Sequence, residues 1–423
     1  MFNLPNHLLA LATSLALGSS VATAANFDWP QWRGPNRDDV SKETGLLKEW
    51  PSGGPKKVWS FEKAGNGYAG VSTAAGKLFT MGIREGKEVL FALDTETGKE
   101  VWASPMGNAF QGDKPSYKTD WGEGPRGTPT VDADRVYALG AWGSLVCASV
   151  KDGKIVWQKT MNEFGGGPFG WGYAESPLVD GAKLVCTPGG NKGTIVALDK
   201  MTGELVWQSK DFTDGVQYSS IIPANINGTP QYVQVTMQSI VGINAKDGSV
   251  LWRSEWPGST AVIPTPIVRG NQVFATAGYG VGCKSFTVGP DNMLTELYRN
   301  KTLENHHGGV ILVGDCVYGH SNDNKGMWTC LDFKTGEAKW QENKLGKGSI
   351  ACADGMLYLL GEKSGECVLI EASPEGWKEH GRFKLDPQST IRSPKGAIWT
   401  HPVVSNGHLY LRDQDLIHCY SLK

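Results

Sequence analysis

The sequence has no surplus of basic charge and, beyond its first 24 residues, no long hydrophobic run. Its 41 Lys and Arg and 43 Asp and Glu residues give a net charge of −2 at pH 7. Nucleic-acid binding depends on a basic surface, so we do not expect a nucleic-acid partner. A transmembrane helix needs about 20 apolar residues. No later stretch of the chain has that length, so we expect no membrane span in the mature chain.

Adjacent cysteines and the cysteine spacings of zinc or haem sites are also lacking. The chain has eight cysteines, and most lie in short apolar runs such as residues 145–148, Leu-Val-Cys-Ala. We interpret them as buried thiols that act as small hydrophobic side chains. One or two cross-strand disulfides are the alternative in an exported protein.

The N-terminal apolar run, residues 8–24, reads LLALATSLALGSSVATA. It ends in a small-x-small pattern, Ala22-Thr23-Ala24, which is typical of signal-peptide cleavage. We therefore predict that residues 1–24 are a signal peptide cleaved after Ala24 and that the protein is periplasmic or secreted. Because no Lys or Arg precedes the run, an uncleaved anchor is the alternative.

One phrase recurs along the chain. It reads ALDTETGKEVW at 92–102, ALDKMTGELVW at 197–207 and CLDFKTGEAKW at 330–340. Two further strand-like runs, joined by a turn such as Asp-Gly or Asn-Gly, precede the phrase. Each unit therefore predicts four short antiparallel strands joined by tight turns.

The aromatic residue that closes each unit recurs every 42 to 55 residues. It occurs at Trp59, Trp102, Trp157, Trp207, Trp252, Tyr298, Trp340 and Phe383. A four-stranded unit at this period is typical of a β-propeller, an all-β fold. We interpret the repeated Trp residues as structural side chains that dock between neighbouring blades.

The two ends of the chain predict how the ring closes. Residues 409–423 lack a final Trp strand, and KKVWSF at 56–61 is a Trp strand without a preceding phrase. We predict one eight-bladed propeller over residues 56–423, whose last blade is completed by the N-terminal strand. Residues 25–55 are predicted to be an extended lead-in against the propeller. Trp50 lies outside this seam, so we expect it to contribute less to stability than Trp59.

The phrase ALD-x-x-TG-x-x-x-W resembles the pyrroloquinoline-quinone (PQQ) repeat of quinoprotein alcohol dehydrogenases. The opening at 29–50, WPQWRGPNRDDVSKETGLLKEW, resembles the start of secreted bacterial PQQ-like propeller proteins. The resemblance extends from Trp29 to the C-terminus. It implies the Trp-docked eight-bladed fold that the barrel-assembly outer-membrane lipoprotein shares. Because this fold serves dehydrogenases, assembly factors and sensors, it implies little about function.

The connections between blades depart most from the repeat. In a propeller they open at one mouth of the central channel, where we predict a site for a planar or anionic small molecule. The alternative is that the same residues plug the channel. The predicted binding residues are Trp121, Arg126, Trp171, Tyr173, Glu175, Tyr218, His306, His307, Trp399 and His401. We do not expect His306 and His307 to form a metal pair, because neighbouring strand residues point to opposite faces.

Active quinoprotein dehydrogenases, according to the resemblance, carry adjacent cysteines, a calcium set of Glu and Asn, and a catalytic Asp. We find no motif onto which these can be carried. We therefore predict no catalytic residue, metal or cofactor, and a binding or scaffold module of the periplasm or cell envelope. Its partner would be an envelope protein or a small ligand. The alternatives are a dehydrogenase of alcohols or sugars that uses PQQ with calcium, and an extracellular sensor or glycan-binding propeller.

Overall fold

The computed structural model describes Met1 and residues 26–112, 116–322 and 326–423. Apart from Met1, the predicted signal peptide lies outside the described residues. The described chain is almost entirely β-structure, with two short 3-10 helices at Thr119–Trp121 and Met161–Phe164. Among the described residues, no helix combines the length and hydropathy needed to cross a membrane.

Eight sheets follow one another along the chain and form the blades of a ring, and their strands are antiparallel except where the short strand Val40–Ser41 pairs in parallel with the first strand of blade 7. The first two strands, β1 (Val40–Ser41) and β2 (Lys57–Phe61), join blades 7 and 8. Blades 1 to 4 contain, in chain order, β3 (Ser72–Ala74), β4 (Lys77–Arg84), β5 (Lys87–Asp94) and β6 (Glu100–Asn108); β7 (Thr130–Asp132), β8 (Arg135–Leu139), β9 (Ser144–Ser149) and β10 (Ile155–Thr160); β11 (Leu178–Asp180), β12 (Lys183–Cys186), β13 (Val196–Asp199) and β14 (Leu205–Gln208); and β15 (Ile222–Ile226), β16 (Thr229–Val235), β17 (Ser239–Asn244) and β18 (Val250–Glu255).

The remaining blades repeat the same order. Blades 5 to 8 contain β19 (Ile267–Arg269), β20 (Gln272–Ala277), β21 (Gly282–Val288) and β22 (Leu294–Asn300); β23 (Val310–Val313), β24 (Cys316–Ser321), β25 (Met327–Asp332) and β26 (Ala338–Glu342); β27 (Gly348–Ala353), β28 (Met356–Gly361), β29 (Glu366–Glu371) and β30 (Glu379–Lys384); and β31 (Val403–Ser405), β32 (His408–Asp413) and β33 (Leu416–Ser421). The architecture confirms the predicted eight-bladed β-propeller.

The repeated Asp and Gly of the phrase build the corner between the third and fourth strands. In blade 1, the Asp94 carboxylate accepts hydrogen bonds from the Thr97 backbone N–H and hydroxyl, at 2.8 and 2.7 Å. Gly98 has a φ of +68°, and a β-carbon there would lie 2.6 Å from Cδ2 of Trp59. The glycine is therefore required twice, for a left-handed turn and for close contact with the indole of the neighbouring blade.

A β-bulge sets the docking position in each blade, and in every blade except blade 7 an aromatic residue occupies that position. In blade 1, Ala92 pairs with Trp102 whereas Leu93 pairs with Glu100, which leaves Val101 unpaired. The same shift occurs between the third and fourth strands of all eight blades. The indole N–H of Trp102 donates to the Val150 carbonyl of the next blade at 3.1 Å. The repeated Trp thus has the predicted structural role.

The seam of the ring is an antiparallel pairing of the two ends of the propeller. Strand β2 pairs with β33, with Trp59 opposite Cys419 and Phe61 opposite Ile417. The Trp59 indole donates to the Thr95 carbonyl of blade 1 at 2.8 Å, so blade 8 docks on blade 1 as blades 1, 2 and 6 dock on their neighbours through Trp102, Trp157 and Trp340. The predicted closure by the N-terminal strand is confirmed.

Residues 26–41 contact the first strand, or the loop beside it, in every blade. The segment makes turns and bends over 31–39, so it is not extended throughout. A segment that reaches all eight first strands closes one end of the central channel. The bonds, from blade 1 to blade 8, are Trp29 N–H to Thr73 O, Val131 N–H to Pro30 O, Arg37 Nη2 to Pro177 O, Arg37 Nη1 to Ile221 O, Trp32 Nε1 to Thr265 Oγ1, Arg33 Nη2 to Val310 O, Cys352 N–H to Asp39 O, and Phe27 N–H to Asn406 Oδ1.

Blade 7 takes its docking aromatic from the lead-in, residues 25–55. By register, the position of the repeated Trp in blade 7 is Gly381, which pairs with Leu369, and not Phe383 as expected. Trp50 lies over Gly381, where a β-carbon would be 2.6 Å from Trp50 Cβ. Its ring also lies 5.9 Å from that of Tyr358. Trp50 is 7% exposed and Trp59 is 9% exposed, so burial gives no reason for Trp50 to contribute less to stability than Trp59.

The cysteines take part in these inter-blade cores. All eight are buried and none is disulfide-bonded. Burial raises the pKa of Cys352 to about 12, for example, which keeps this thiol protonated at neutral pH. They behave as small hydrophobic side chains, and the cross-strand disulfide alternative is not found.

Replacing Trp50 or Trp59 by Ala should destabilise the protein by similar amounts. Both side chains fill a gap between blades, and truncating a buried aromatic costs about 3–5 kcal/mol. Trp121→Ala is the matched control, since Trp121 is 40% exposed. Urea denaturation of the three variants measures the comparison. A Trp50→Ala variant as stable as Trp121→Ala would contradict the role of Trp50 in blade 7.

Candidate functional site

A cavity of about 270 Å³ lies inside the ring, between the lead-in and the inter-blade connections. Its floor is formed by Trp32 and Arg33 of the lead-in. Its walls come from the connections that precede blades 2, 3, 4, 6 and 8, together with Tyr68 and the loop at 260–265. The closed channel end turns what would be a tunnel into a pocket with one mouth.

Eight of the ten predicted binding residues line this cavity. They are Trp121, Arg126, Trp171, Tyr218, His306, His307, Trp399 and His401. The structure therefore brings together side chains from five separate connections. That they bind a ligand stays a prediction.

Tyr173 and Glu175 do not line the cavity, so their placement at the mouth was wrong. The Tyr173 hydroxyl donates to the Pro188 carbonyl at 2.9 Å, and its ring packs in the core between blades 2 and 3. The Glu175 carboxylate is 1% exposed and accepts hydrogen bonds from the backbone and hydroxyl of Thr187. Both side chains point into the packed ring, whereas Ala174 and Ser176 beside them line the cavity.

One wall of the cavity is a stack of aromatic rings. The Trp399 ring lies 4.5 Å from the ring of His307, nearly parallel to it, and 4.9 Å from the ring of Tyr68. The Trp399 indole N–H donates to Glu362 at 3.0 Å. This bond fixes the indole plane, so the wall is held rigidly in place.

Arg126 is held by the backbone of its own connection. Its Nη1 and Nη2 donate to the carbonyls of Gly124 and Gly122, at 2.6 and 2.7 Å. Its guanidinium lies over the rings of Tyr68 and Phe110, at 5.5 and 5.1 Å from their centres. A cation between two aromatic faces keeps its charge while partly desolvated.

The two neighbouring histidines lie side by side, with ring centres 3.6 Å apart. The expectation that they point to opposite faces was wrong, because residues 306 and 307 lie in a loop and not in a strand. Lys347 Nζ lies 2.6 Å from Nδ1 of His306 and 3.2 Å from Nδ1 of His307. Burial, with the Lys347 charge, lowers the pKa of His306 to about 3.

This arrangement fixes where the histidine protons are. An ammonium group can only donate hydrogen bonds. Each Nδ1 therefore accepts from Lys347, and each neutral ring carries its proton on Nε2. Lys347 directs its third hydrogen to Glu362, 3.4 Å away.

The floor is tied to the histidine side of the cavity. The ring of Trp32 lies 4.6 Å from that of His401. His401 Nε2 is 3.0 Å from the His307 carbonyl and its Nδ1 is 3.2 Å from the Asp39 carboxylate. The lead-in thus positions one of the predicted binding residues.

Several lining residues were not predicted from the sequence. They are Trp32, Arg33, Tyr68, Lys118 and Tyr279, with Lys347 and Glu362 behind the wall. Lys118 lies in the connection that precedes blade 2, and its Nζ is 4.8 Å from the ring of Trp171. Trp32 and Arg33 lie in the opening 29–50, whose path across the channel no local pattern reveals.

The lining is rich in aromatic rings and also includes hydroxyl groups such as those of Ser220 and Thr265. Its charged or ionisable side chains include Arg33, Lys118 and Arg126, and within the described part of the chain no Asp or Glu lines it. No group of three or more His, Cys, Asp or Glu side chains that could hold a metal ion occurs among residues 26–112, 116–322 and 326–423. The cavity is suited to a planar molecule that accepts hydrogen bonds.

The family model described as outer membrane protein assembly factor BamB matches residues 86–342, which is more than half of the chain. The chain belongs to this family. Its eight PQQ-like blades agree with the resemblance inferred from the repeat.

Two curated relatives match parts of this BamB-family chain. The outer membrane protein assembly factor BamB of Kangiella koreensis is 26% identical over 162 residues, 36% of this chain and 35% of the relative. The tetrathionate hydrolase of Acidithiobacillus ferrooxidans is 26% identical over 286 residues, 62% of this chain and 51% of the relative. The chain thus spans about a third to a half of the curated relatives it matches.

Solved structures share the fold over most of the chain. BamB from Moraxella catarrhalis has a TM-score of 0.60 and 16% identity, covering 87% of this chain and 97% of that one. The quinohemoprotein alcohol dehydrogenase of Comamonas testosteroni has a TM-score of 0.63 and 13% identity, covering 95% and 81%. At such identities the likeness concerns the fold alone.

Acid should destabilise the protein through His306. The ring is neutral in the folded protein, with a pKa of about 3, whereas in the unfolded chain it titrates near its usual 6.5. The unfolded chain then binds one more proton between these values, so the free energy of unfolding falls as the pH falls below 6.5. Replacing His306 by Gln should remove up to about 2 kcal/mol of this loss at about pH 5.

Urea denaturation at about pH 7.5 and pH 5 measures the effect. Leu205→Ala, at a 52% exposed position on β14, is the control and should lose stability with acid as the wild type does. Equal acid sensitivity of His306→Gln and the wild type would contradict a neutral, buried His306.

Proposed function

We propose that this protein is an exported, non-catalytic propeller of the periplasm or cell envelope that binds a small molecule in its central cavity. The observation that carries the proposal is the cavity itself. It is closed at one end by the lead-in, walled by aromatic rings and lined by hydrogen-bond donors. Such a site holds a planar ligand by stacking and by a few directed hydrogen bonds.

The chemistry of the lining supports binding over catalysis. Acid–base catalysis needs a group that can take up and release a proton near the operating pH. The pKa of His306 is about 3, and burial lowers that of His307 well below its usual value. His306 therefore stays neutral at both pH 5 and pH 8 and exchanges protons poorly with a substrate in that range, and the lowered pKa of His307 disfavours its protonation in the same direction.

Export and an envelope location rest on two independent features. The apolar run at 8–24 ends in the small-x-small pattern of a signal peptide. The matched family and one curated relative bear the name of an outer membrane protein assembly factor. A role as a scaffold for an envelope protein is the related proposal, with the ligand cavity then serving to regulate or stabilise the module.

A second candidate function is that of a PQQ-dependent dehydrogenase, and the likeness to a quinohemoprotein alcohol dehydrogenase favours it. The calcium ion of that chemistry does not fit the residues present. Calcium takes six to eight oxygen ligands, usually with several carboxylates, and the described lining contains none. We therefore propose no catalytic step that uses PQQ and calcium.

Reconstitution separates the two functions. The purified protein is titrated with PQQ and calcium, and reduction of an artificial electron-acceptor dye is followed with ethanol and with glucose as substrates. We expect no dye reduction above that of PQQ alone. Calcium-dependent dye reduction would overturn the non-catalytic proposal.

Ligand capture tests the proposed function directly. Tagged wild-type protein and a Trp399→Ala variant are incubated with a small-molecule extract of the cell envelope, washed, and denatured, and the released compounds are identified by mass spectrometry. We expect at least one aromatic compound to be enriched by the wild type and lost by the variant, because Trp399 is the centre of the stacked wall.

The control variant is Leu205→Ala, which changes an exposed side chain on the outer edge of blade 3. It should capture the same compound as the wild type. Identical compound profiles for the wild type and Trp399→Ala would contradict binding in the cavity.

A further inference from the structure

Two residues that line the cavity carry buried hydrogen-bond donors for which the described chain has no acceptor. Arg33 is only 2% exposed and lines the floor. Its Nη2 donates to the carbonyls of Val310 and Asp38, but Nη1 has no partner among the described residues. Nε2 of His306, which lines the wall, is likewise buried and without a partner in that part of the chain. Buried donors without acceptors are rare in proteins and point to a missing group.

Arg33 and His306 both adjoin the start of blade 6, and we call this part of the cavity the corner. Arg33 Nη2 is 2.6 Å from the carbonyl of Val310, which begins the first strand of blade 6. His306 lies four residues earlier, in the connection that leads into this strand. Arg33 Nε also lies 3.3 Å from the Asp39 carboxylate. That carboxylate contacts His401, whose ring is 3.0 Å from the carbonyl of His307.

Lys347 decides that His306 donates at this corner. Its ammonium group holds Nδ1 of His306 as an acceptor at 2.6 Å. The proton of the neutral ring is therefore on Nε2, the atom without a partner. Without Lys347 the ring is free to adopt the other tautomer, in which Nε2 is an acceptor.

We propose that this corner is an oxyanion subsite, in which Arg33 and His306 bind a carboxylate carried by an aromatic ligand and Lys347 acts as the positioning residue for His306. The inference rests on the proposed function, because it names the class of ligand that the same cavity binds.

A carboxylate fits this corner better than other groups. Ionised, it accepts hydrogen bonds at both oxygens and has no proton to donate, so it pairs with donors only. A cationic ligand would meet the charges of Arg33, Lys118 and Arg126 without a facing carboxylate in the described lining. The rings of Trp399, Tyr68 and Trp171 offer flat surfaces for the aromatic part of the ligand.

A matched pair of probes tests the subsite. We use 2-naphthoate and its uncharged isostere 2-naphthamide, and measure both affinities by isothermal titration calorimetry at neutral pH. The wild type should bind 2-naphthoate at least about tenfold more tightly, because the amide cannot accept two charge-assisted hydrogen bonds.

Three variants assign the roles. His306→Phe keeps an aromatic ring but removes the donor, and should reduce the affinity for 2-naphthoate about tenfold while leaving that for 2-naphthamide within about twofold. His306→Gln retains an N–H donor near the Nε2 position and should restore most of the preference. Lys347→Met should lose it although His306 is present. Melting temperatures verify that each variant is folded, and Leu205→Ala is the control for both affinities.

Nitrogen-15 NMR of the histidine side chains gives a second measurement that does not depend on binding. The wild type should show His306 as the Nε2–H tautomer, and Lys347→Met should shift it toward a mixture. An unchanged tautomer in Lys347→Met would overturn the positioning role.

The failures of the two proposals are distinguishable. Equal binding of the two probes, each weakened by Trp399→Ala, would overturn the oxyanion subsite and leave the ligand cavity standing. Binding of neither probe, together with no compound captured from the envelope extract, would overturn both. A preference for 2-naphthoate that persists in His306→Phe would assign the anion to Arg126 or Lys118 and overturn the corner formed by Arg33 and His306.

Discussion

A propeller has no covalent bond at its seam, and in this protein everything else depends on the pairing of β2 with β33. Blades bury their faces only against neighbours, so an open ring would expose the two sheets at the gap. The pairing of Trp59 with Cys419 closes the eighth blade, and the Trp59 indole then docks on the first. Because β2 pairs with the C-terminal strand β33, the residues that precede β2 also lie close to the ring.

The lead-in, which this pairing keeps close to the ring, has three structural roles. It closes one end of the channel by bonding to the first strand, or its adjacent loop, in every blade. It completes blade 7, whose docking position is Gly381, with the ring of Trp50. It also forms the cavity floor with Trp32 and Arg33. A segment that the repeat does not describe therefore turns a generic propeller into one with a particular pocket.

The polar groups around the pocket are connected through Lys347. Lys347 contacts His306, His307 and Glu362. Glu362 in turn accepts the hydrogen bond of the Trp399 indole. The stacked wall and the two histidines thus belong to one connected network. Such a network is rigid when every member is satisfied, and the unpartnered donors of Arg33 and His306 are its open positions.

The amino-acid sequence by itself determined the fold. The repeated phrase determined the blade, because Asp94 and Gly98 set the corner and Trp102 the docking position through local hydrogen bonds and sterics. The count of eight and the seam followed from spacing alone, and eight of the ten predicted residues line the cavity because inter-blade connections converge at one mouth. Tertiary structure decided what has no local signal. The path of residues 26–41 across the channel depends on eight blades that are distant in sequence, and it alone placed Arg33. The directions of Tyr173 and Glu175 were decided by packing between blades, and the adjacent rings of His306 and His307 by a loop that does not alternate as a strand does.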